Sequence, residues 1–578
     1  MMIPRGHLRG LTFDIHWNQN ERLACMIKTI KLKFGRAPNT KPTSIAVTPV
    51  TVFVGPNNSG KSKVLSEINN FCRKGKRNND DAILASIEFE DVDYNKTISE
   101  IELKPNVNEN LQENNVIIGK GNNRHIVSKI ELSKVFKTPN LKPEHFCNWF
   151  LQFSTIILDG NNRISLVRQQ PIGDLQKDSQ SSFQLLFKND RKRMEVRRII
   201  KEAFGSYFVI DPTNGGNLRV KLSNRPPKNN VEERGLHNDA IKFHANAEPI
   251  EGASDGVKAF TGMITEIIAG DPKILLVDEP EAFLHPSLAH KLGKEIATAT
   301  EGTNKRIFVS THSSNFVMGC IQSGVPVNII RLTYNNRTAT ARILPNDDIM
   351  KLMRDPLLRS TGVLEALFYK NVVVSEGDTD RAFYQEINER LLQFKPAWGI
   401  SNCLFLNAQN KQTIGRIIKP LRELGIPAAG ITDIDVLKDG GRMWTNHLNS
   451  GFIPEASHSS LQEQRRTIKS KFENSGKDMK KQGGIKILND GDEDSANNLF
   501  NTLDEYGLFT VRGGEVESWL KFLNVSGHGA EWLISIFEKM GANPNTKKYL
   551  KPKTTDVWRF VKSLKDWLDN PKRKGIPS

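Results

Sequence analysis

Two groups of residues in this sequence have the types and spacing to handle phosphate and cations. The first begins with Gly55-Pro56-Asn57-Asn58-Ser59-Gly60-Lys61-Ser62, a complete G-x-x-x-x-G-K-S phosphate loop. Gly55 and Gly60 let the backbone bend close to phosphate oxygens, and the loop N–H groups, that of Asn58 among them, point inward. Lys61 reaches the outer phosphates and Ser62 is placed to ligate Mg²⁺. Farther on, Lys273-Ile274-Leu275-Leu276-Val277-Asp278-Glu279 runs apolar and ends in two carboxylates. Asp278 can hold Mg²⁺ through water, and Glu279 can orient an attacking water. A second apolar run, Arg306-Ile307-Phe308-Val309-Ser310, leads to His312, which could contact a γ-phosphate. Upstream, Ser254-Asp255-Gly256 forms a small-residue turn entering a helix whose N-terminus suits another anion.

The second group is acidic. The runs Asn371-Val372-Val373-Val374-Ser375, Ala428-Ala429-Gly430-Ile431-Thr432 and Leu508-Phe509-Thr510-Val511 each lead into carboxylates. These are Glu376 and Asp380, Asp433 and Asp435, and Glu515 and Glu517. Period two puts Asp433 and Asp435 on one face of a strand, where both can meet one cation. A single acidic turn is ordinarily just a loop. Three strands ending in acids repel one another unless a cation sits among them. Oxygen-only ligands point to Mg²⁺ or Mn²⁺ rather than zinc. Between the last two groups lies a basic stretch containing Arg465, Arg466, Lys469, Lys471, Lys477, Lys480, Lys481 and Lys486. Such stretches are commonly solvated surface; beside a cluster of metal-binding acids, phosphate contact is the competing reading.

These residues need strands to deliver them. The pattern predicts strands over 27–34 and 47–54, a helix over 64–71 behind the phosphate loop, and antiparallel strands over 82–90 and 97–103. Residues 106–123 read as an Asn-rich loop, 143–153 as helix, 154–167 as strand, turn, strand, and 182–204 as a basic helix. Residues 334–343 read as a hairpin and 360–368 as a linking helix. The fold class is α/β. Residues 1–25 form an extension expected to be loosely attached, with the folded part starting at Met26. Residues 26–365 form an ATPase domain, in which about 140–205 is a candidate helical dimerisation part. Residues 366–578 form a second α/β domain with a basic insertion at 455–490 and a helical C-terminal region.

Composition agrees with this division. A chain of 578 residues is too long for one core. Its 81 Lys and Arg exceed its 65 Asp and Glu, and the resulting +16 favours a polyanionic partner. The five cysteines are scattered without a C-x-x-C, so neither a zinc ribbon nor a disulfide framework is suggested, and a reducing cytoplasm fits. No apolar run reaches the length of a membrane span.

The phosphate loop, Leu275-Leu276-Val277-Asp278-Glu279-Pro280-Glu281 with Leu284-His285-Pro286, and Ser310-Thr311-His312-Ser313 resemble an ABC-type ATPase of the Rad50/SMC/OLD kind. In that kind two heads sandwich ATP, and a Ser-x-Gly signature from one head meets the γ-phosphate on the other; Ser254 and Gly256 match it loosely. Long heptad runs are absent, so a coiled-coil arm is not expected. Glu376-Gly377-Asp378-Thr379-Asp380, Asp433-Ile434-Asp435 and a late acid resemble a TOPRIM domain. The combination is similar to the OLD (overcoming lysogenisation defect) family, which includes the Gabija nuclease subunit and retron-associated nuclease effectors of anti-phage defence. The resemblance implies ATP and two Mg²⁺ or Mn²⁺ ions. It implies metal-site acids at Glu376, Asp380, Asp433, Asp435 and Glu517, with Glu515 as the other register. It implies catalytic roles for Glu279, His312, Glu376 and Asp433, and a lysine near the C-terminus, with Lys547, Lys548, Lys551 and Lys553 all available. Its implied partners are DNA, a second copy through the ATPase heads, and a regulator such as a retron reverse transcriptase with its RNA–DNA or a Gabija-like helicase. The expected function is ATP-binding, metal-dependent DNA cleavage in phage defence. The alternative is a non-cutting, ATP-switched DNA clamp of SMC/RecF type, against which the complete acid set argues. Strand passage needs a nucleophilic tyrosine, and none of the seven is placed tellingly.

Overall fold

The computed structural model describes residues 27–105, 111–120, 123–160, 162–176, 179–270, 272–335, 338–344, 346–356 and 362–577. The expected extension at 1–25 and its boundary at Met26 lie outside these residues; Ile27 opens the first described strand.

Strand β3 (Val50–Val54) is buried at every residue, and so are the first four of β12 (Ile274–Asp278) and all of β13 (Arg306–Ser310). Strands apolar on both faces must be covered on both faces, and that is the condition of a parallel sheet between helical layers. The sheet runs β15-β14-β3-β13-β12-β7, with β7 at Thr155–Leu158, β14 at Val327–Asn335 and β15 at Thr338–Leu344. Its five inner and leading strands are parallel, and β15 closes the edge as the expected hairpin with β14. Alternate residues face opposite layers. Phe53, Leu276, Phe308 and Ile330 pack with Val64, Leu65 and Ile68 of the helix Lys61–Lys74. Val52, Val54, Leu275, Val277 and Val309 pack with the helices Asp255–Ala269 and Pro286–Thr298. Each such fully buried side chain contributes about 1.5–3 kcal/mol of transfer free energy.

Smaller antiparallel sheets flank this layer. One is β2-β1-β4, with β1 at Ile27–Leu32, β2 at Ser44–Ala46 and β4 at Leu84–Phe89. A second is β11-β10-β8 with β9 beside β10, from β8 (Gln170–Pro171), β9 (Tyr207–Asp211), β10 (Asn217–Ser223) and β11 (Glu248–Pro249).

Several local expectations are corrected. The predicted 47–54 strand begins only at Val50, after Pro49, and the strand before it, β2, lies in a different sheet. The stretch 97–103 is not a strand: Tyr94–Ile101 is helical, because Tyr94, Ile98 and Ile101 recur at helical spacing and pack on the core together. The supposed loop over 106–123 contains β5 (Asn115–Lys120), paired with β6 (Asn123–Ser128) and burying Val116, Ile117 and Ile118. The second strand expected before residue 167 is replaced by the short helix Asn162–Ser165, with Arg163 buried. The 140–205 part, a candidate for dimerisation, is also built into the domain. It supplies β7 to the main sheet, and Phe183, Leu186, Val196, Ile199 and Ile200 of its later helices sit in the main core. The linking segment is a 3₁₀ helix, Val363–Phe368, with 357–361 outside the described residues.

The second sheet is entirely parallel, in the order β17-β16-β18-β19. Its strands are β16 (Asn371–Ser375), β17 (Cys403–Asn407), β18 (Ala428–Asp433) and β19 (Leu508–Val511). Parallel order brings all four C-terminal ends to one edge, where an α/β sheet places its ligands. The basic insertion becomes the helix His458–Ser475 and a 3₁₀ turn at Gly484–Ile487, between β18 and β19. Buried Arg331 of the first sheet donates to the carbonyls of Leu367 (3.4 Å) and Tyr369 (2.8 Å), tying the linker to it. Among the described residues no helix is long and apolar enough to cross a membrane.

Candidate active site

The nucleotide loop follows directly from β3. Gly55 sits at φ +143, and a Cβ there would collide with the Leu332 carbonyl, so only glycine fits. Lys61 starts the following helix and is buried; its Nζ donates to the carbonyls of Gly55 and Pro56, 2.9 Å each. Burial lowers its pKa to about 8, against the opposing fields of Glu279, Asp278 and Glu281. Those acids reach it because β12 is separated from β3 only by β13. Asp278 pairs in register with Ser310, whose hydroxyl donates to its carboxylate. Glu279 then turns at φ +48, a left-handed conformation that costs energy in a non-glycine residue, with its N–H on the Ser310 carbonyl at 2.9 Å. This turn sets Glu279 Oε1 3.5 Å from His312 Nε2. Burial and the charge of Lys61 lower the His312 pKa, which keeps the imidazole neutral.

Two residues here went unassigned in the sequence. Glu281 accepts the His312 backbone N–H at 2.6 Å and keeps a buried, unpartnered Oε2; burial raises its pKa. The second acid of Asp-Glu-Pro-Glu was its only signal. Arg163 is buried and donates to the Glu279 carbonyl, and no local pattern marks it. Asn58, at φ +62, and Ser62 are exposed at the loop. Ser254 caps the helix Asp255–Ala269 without a side-chain cap bond and is exposed; Gly256 lies against the Phe283 carbonyl. That leaves the Ser254 hydroxyl and the helix N-terminus facing outward.

The acidic residues gather at the C-terminal edge of the second sheet. Glu376 follows β16, and its Oε1 accepts the Asp433 N–H from the end of β18 at 2.9 Å. Glu376, Asp433 and Asp435 each offer an oxygen within 4.8 Å of the others. Asp435 does not reach this place by strand alternation, because β18 stops at Asp433 and the 3₁₀ helix Ile434–Lys438 carries Asp435. Lys411 Nζ holds its Oδ2 at 3.0 Å, while its Oδ1 is buried without a partner. Burial, then the charge of Asp433, raises the Glu376 pKa to about 8. Burial also pushes Asp433 up, against its bond to Lys480. Asp380 caps its own helix, accepting the Gly377 N–H at 2.9 Å; burial, then Asp433, raises it to about 7.

Both late registers are present together. Glu515, Glu517 and His528 form a second group with donor atoms within 4.8 Å. Lys480 joins the two groups, its Nζ 2.8 Å from Asp433 Oδ2 and 3.7 Å from Glu515 Oε2. Burial opposes its charge, but the bond to Asp433 and the fields of Asp433, Asp435 and Glu376 prevail and raise its pKa. Of the C-terminal lysines, Lys551 and Lys553 lie over the rings of Phe394 (5.2 Å) and Phe522 (4.1 Å), and Lys547 and Lys548 are exposed. The ammonium groups against the acids are instead Lys480 of the basic insertion, on Asp433, and Lys411, on Asp435. His528 had no sequence signal, since it is brought in from a loop well past the acids. Orphaned buried carboxylate oxygens and raised acid pKa values are what a cation relieves, so these residues fit a divalent metal.

Residues 50–318 match the family model described as "AAA domain, putative AbiEii toxin, Type IV TA system". Residues 367–435 match "Overcoming lysogenization defect protein-like, TOPRIM domain". The Old nuclease of Escherichia phage P2 is 24% identical over 176 residues, which span 29% of this chain and 28% of that protein. The SMC head domain from Thermotoga maritima is 13% identical with a TM-score of 0.28, covering 55% of this chain and 99% of that chain. The Smc head domain with an extended coiled coil from Pyrococcus furiosus is 12% identical with a TM-score of 0.30, covering 57% and 99%. The chain therefore carries a P-loop ATPase domain followed by an OLD-like TOPRIM domain, and it is similar over part of its length to the Old nuclease.

Proposed function

We propose that this chain is an ATP-binding, divalent-metal-dependent DNA endonuclease acting in anti-phage defence. The observation that carries the reading is the convergence of Glu376, Asp433 and Asp435 at the ends of parallel strands, with Lys480 bound to Asp433. We divide the chain into an ATPase domain up to about residue 365 and a nuclease domain from 366.

In the nuclease domain Glu376, Asp433, Asp435 and, across Lys480, Glu515 and Glu517 hold the cations, with Asp380 behind them. Bound divalent metal supplies an activated water and charge neutralisation at the scissile phosphate. Glu376 keeps Oε2 free for a cation or water, because its Oε1 is taken by the Asp433 N–H. Lys480 offers the charge that offsets a phosphorane-like transition state. In the insertion Arg465 is buried and Arg466, Lys469, Lys471 and Lys486 pair with acids, so exposed Lys477 and Lys481, with the +16 balance, are the cations that suit a DNA backbone.

In the ATPase domain Lys61 exchanges the carbonyls of Gly55 and Pro56 for phosphate oxygens. Ser62 and Asp278 hold Mg²⁺, Glu279 orients water, and neutral His312 accepts or donates at the γ-phosphate. Ser254 is exposed at the helix N-terminus, with Gly256 packed behind it on the Phe283 carbonyl, which suits completion of a site on a second copy. A nuclease harmful to its host must be held off, so we assign control to nucleotide or to a partner such as a retron complex or a Gabija-like helicase. The test is cleavage of supercoiled plasmid in Mg²⁺ or Mn²⁺. Asp433→Ala should abolish it and leave ATP binding intact. Equal cutting by that variant refutes the site. DNA binding that depends on ATP with no cutting by wild type supports the clamp instead.

A further inference from the structure

The late acids have a companion that the rest of the centre lacks. After β19 the Gly513-Gly514 turn carries the chain into Glu515 and the 3₁₀ turn Val516–Ser518. Glu515 is 7% exposed. Glu517 uses Oε1 for the Gly529 N–H at 3.0 Å and for His528 Nδ1 at 2.7 Å. Its Oε2 is buried and takes no hydrogen bond. A buried anionic oxygen without a donor is costly, and a cation removes that cost. His528 stands between two glycines in the left-handed region, Gly527 at φ +110 and Gly529 at φ +62, and this tight turn sets the imidazole over Glu517.

We propose that Glu515, Glu517 and His528 form a mixed nitrogen–oxygen subsite for a first-row transition divalent cation, with Mn²⁺ as the ion to test. It lies beside the all-oxygen subsite of Glu376, Asp433 and Asp435, and the inference rests on the metal-dependent reading above while adding that the two subsites are chemically unlike. Imidazole suits transition metals, whereas Mg²⁺ favours oxygen ligands and retains its waters. The mixed subsite therefore discriminates against Mg²⁺ and the all-oxygen one accepts it. A cation bound there takes the Nδ1 lone pair in place of its hydrogen bond to Glu517 Oε1, and Nε2, left outward, is held by solvent. Lys480 lies between the subsites, and its charge offsets the repulsion between Asp433 and Glu515.

The experiment is Mn²⁺ titration of the full, nucleotide-free protein followed by pulsed EPR. A directly bound imidazole gives ¹⁴N modulation of the Mn²⁺ echo. Wild type should show it, and His528→Ala should lose it while binding at that subsite weakens about tenfold or more. His528 is 72% exposed in its side chain, so the variant should fold as wild type does. Mg²⁺ should displace the Mn²⁺ that has no nitrogen coupling more readily than the Mn²⁺ that has it. Asp433→Ala should leave the nitrogen-coupled ion in place. Saturated wild type without ¹⁴N modulation, or modulation that survives in His528→Ala, overturns the subsite and leaves a plain histidine–glutamate pair. Protein that shows nitrogen coupling but cuts no DNA overturns the nuclease reading and keeps this site. Protein that cuts DNA without nitrogen coupling does the reverse.

Discussion

The rings of His312 and Phe368 lie 6.3 Å apart, so His312 packs on the linker that leads into β16. On one side His312 faces Glu279 at 3.5 Å. On the other, Phe368 ends the linker helix three residues before β16, the strand that delivers Glu376. Ser314, just after His312, also donates to the Glu365 carboxylate in the same linker. A nucleotide that moves His312 therefore pushes on a packed segment leading to the acids. Phe368→Leu keeps most of the core volume and removes the ring contact. It should shrink the effect of ATP on DNA cleavage by about fivefold, near the lower end of typical coupling energies, and leave cleavage without nucleotide unchanged. Cleavage assays with and without ATP decide this; an unchanged ATP effect means the coupling runs elsewhere.

The metal-free protein should lose stability as pH rises. Glu376 moves from 4.5 to about 8 on folding and Asp380 from 3.8 to about 7. An acid with a raised folded pKa binds more protons when folded, so stability falls across the window between its unfolded and folded values. In EDTA the Tm should drop between pH 6 and pH 8, and Glu376→Gln should flatten that slope. Mn²⁺ should raise the Tm more at pH 8 than at pH 6, since binding must release the protons. A Tm in EDTA that climbs over this range contradicts the assignment.

The pattern of apolar run followed by acid was legible because it is local: β12, β16 and β18 each state both their burial and their cargo in consecutive residues. The phosphate loop was legible for the same reason. Period two failed for Asp435, because the strand ends two residues before it, at Asp433, and a 3₁₀ turn does the placing. Thr97 and Ile98 suggested a strand by type, but the helical recurrence of Tyr94, Ile98 and Ile101 decided the outcome. Lys480, His528 and Arg163 meet their partners only through the fold, at separations no local pattern records.

Glu279 is held at φ +48 with its carboxylate 3.5 Å from His312. Glu279→Gln keeps the size and the backbone hydrogen bond but loses the base. ATP hydrolysis should fall about a hundredfold or more while ATP binding stays near wild type. Equilibrium binding of a labelled nucleotide together with a phosphate-release assay separates the two. If hydrolysis proceeds at full rate, Glu279 does not orient the water, and Glu281, buried beside His312, becomes the residue to replace next.

Lys480 has two roles that can be separated. In the metal-free protein its ammonium lies 2.8 Å from Asp433 and 3.7 Å from Glu515, so it offsets their repulsion. Lys480→Ala should lower the Tm in EDTA, and divalent metal should restore most of the loss, because the cation takes over the neutralisation. Cleavage should not recover. With its charge missing from the transition state, kcat should fall about 10²–10³-fold with a smaller change in KM. Lys480→Arg should keep the Tm and recover part of the rate, since the charge returns with different geometry. If Lys480→Ala cuts DNA as fast as wild type once metal is present, the lysine is a salt bridge only, and the charge on the phosphate must be offset by another group of the basic insertion.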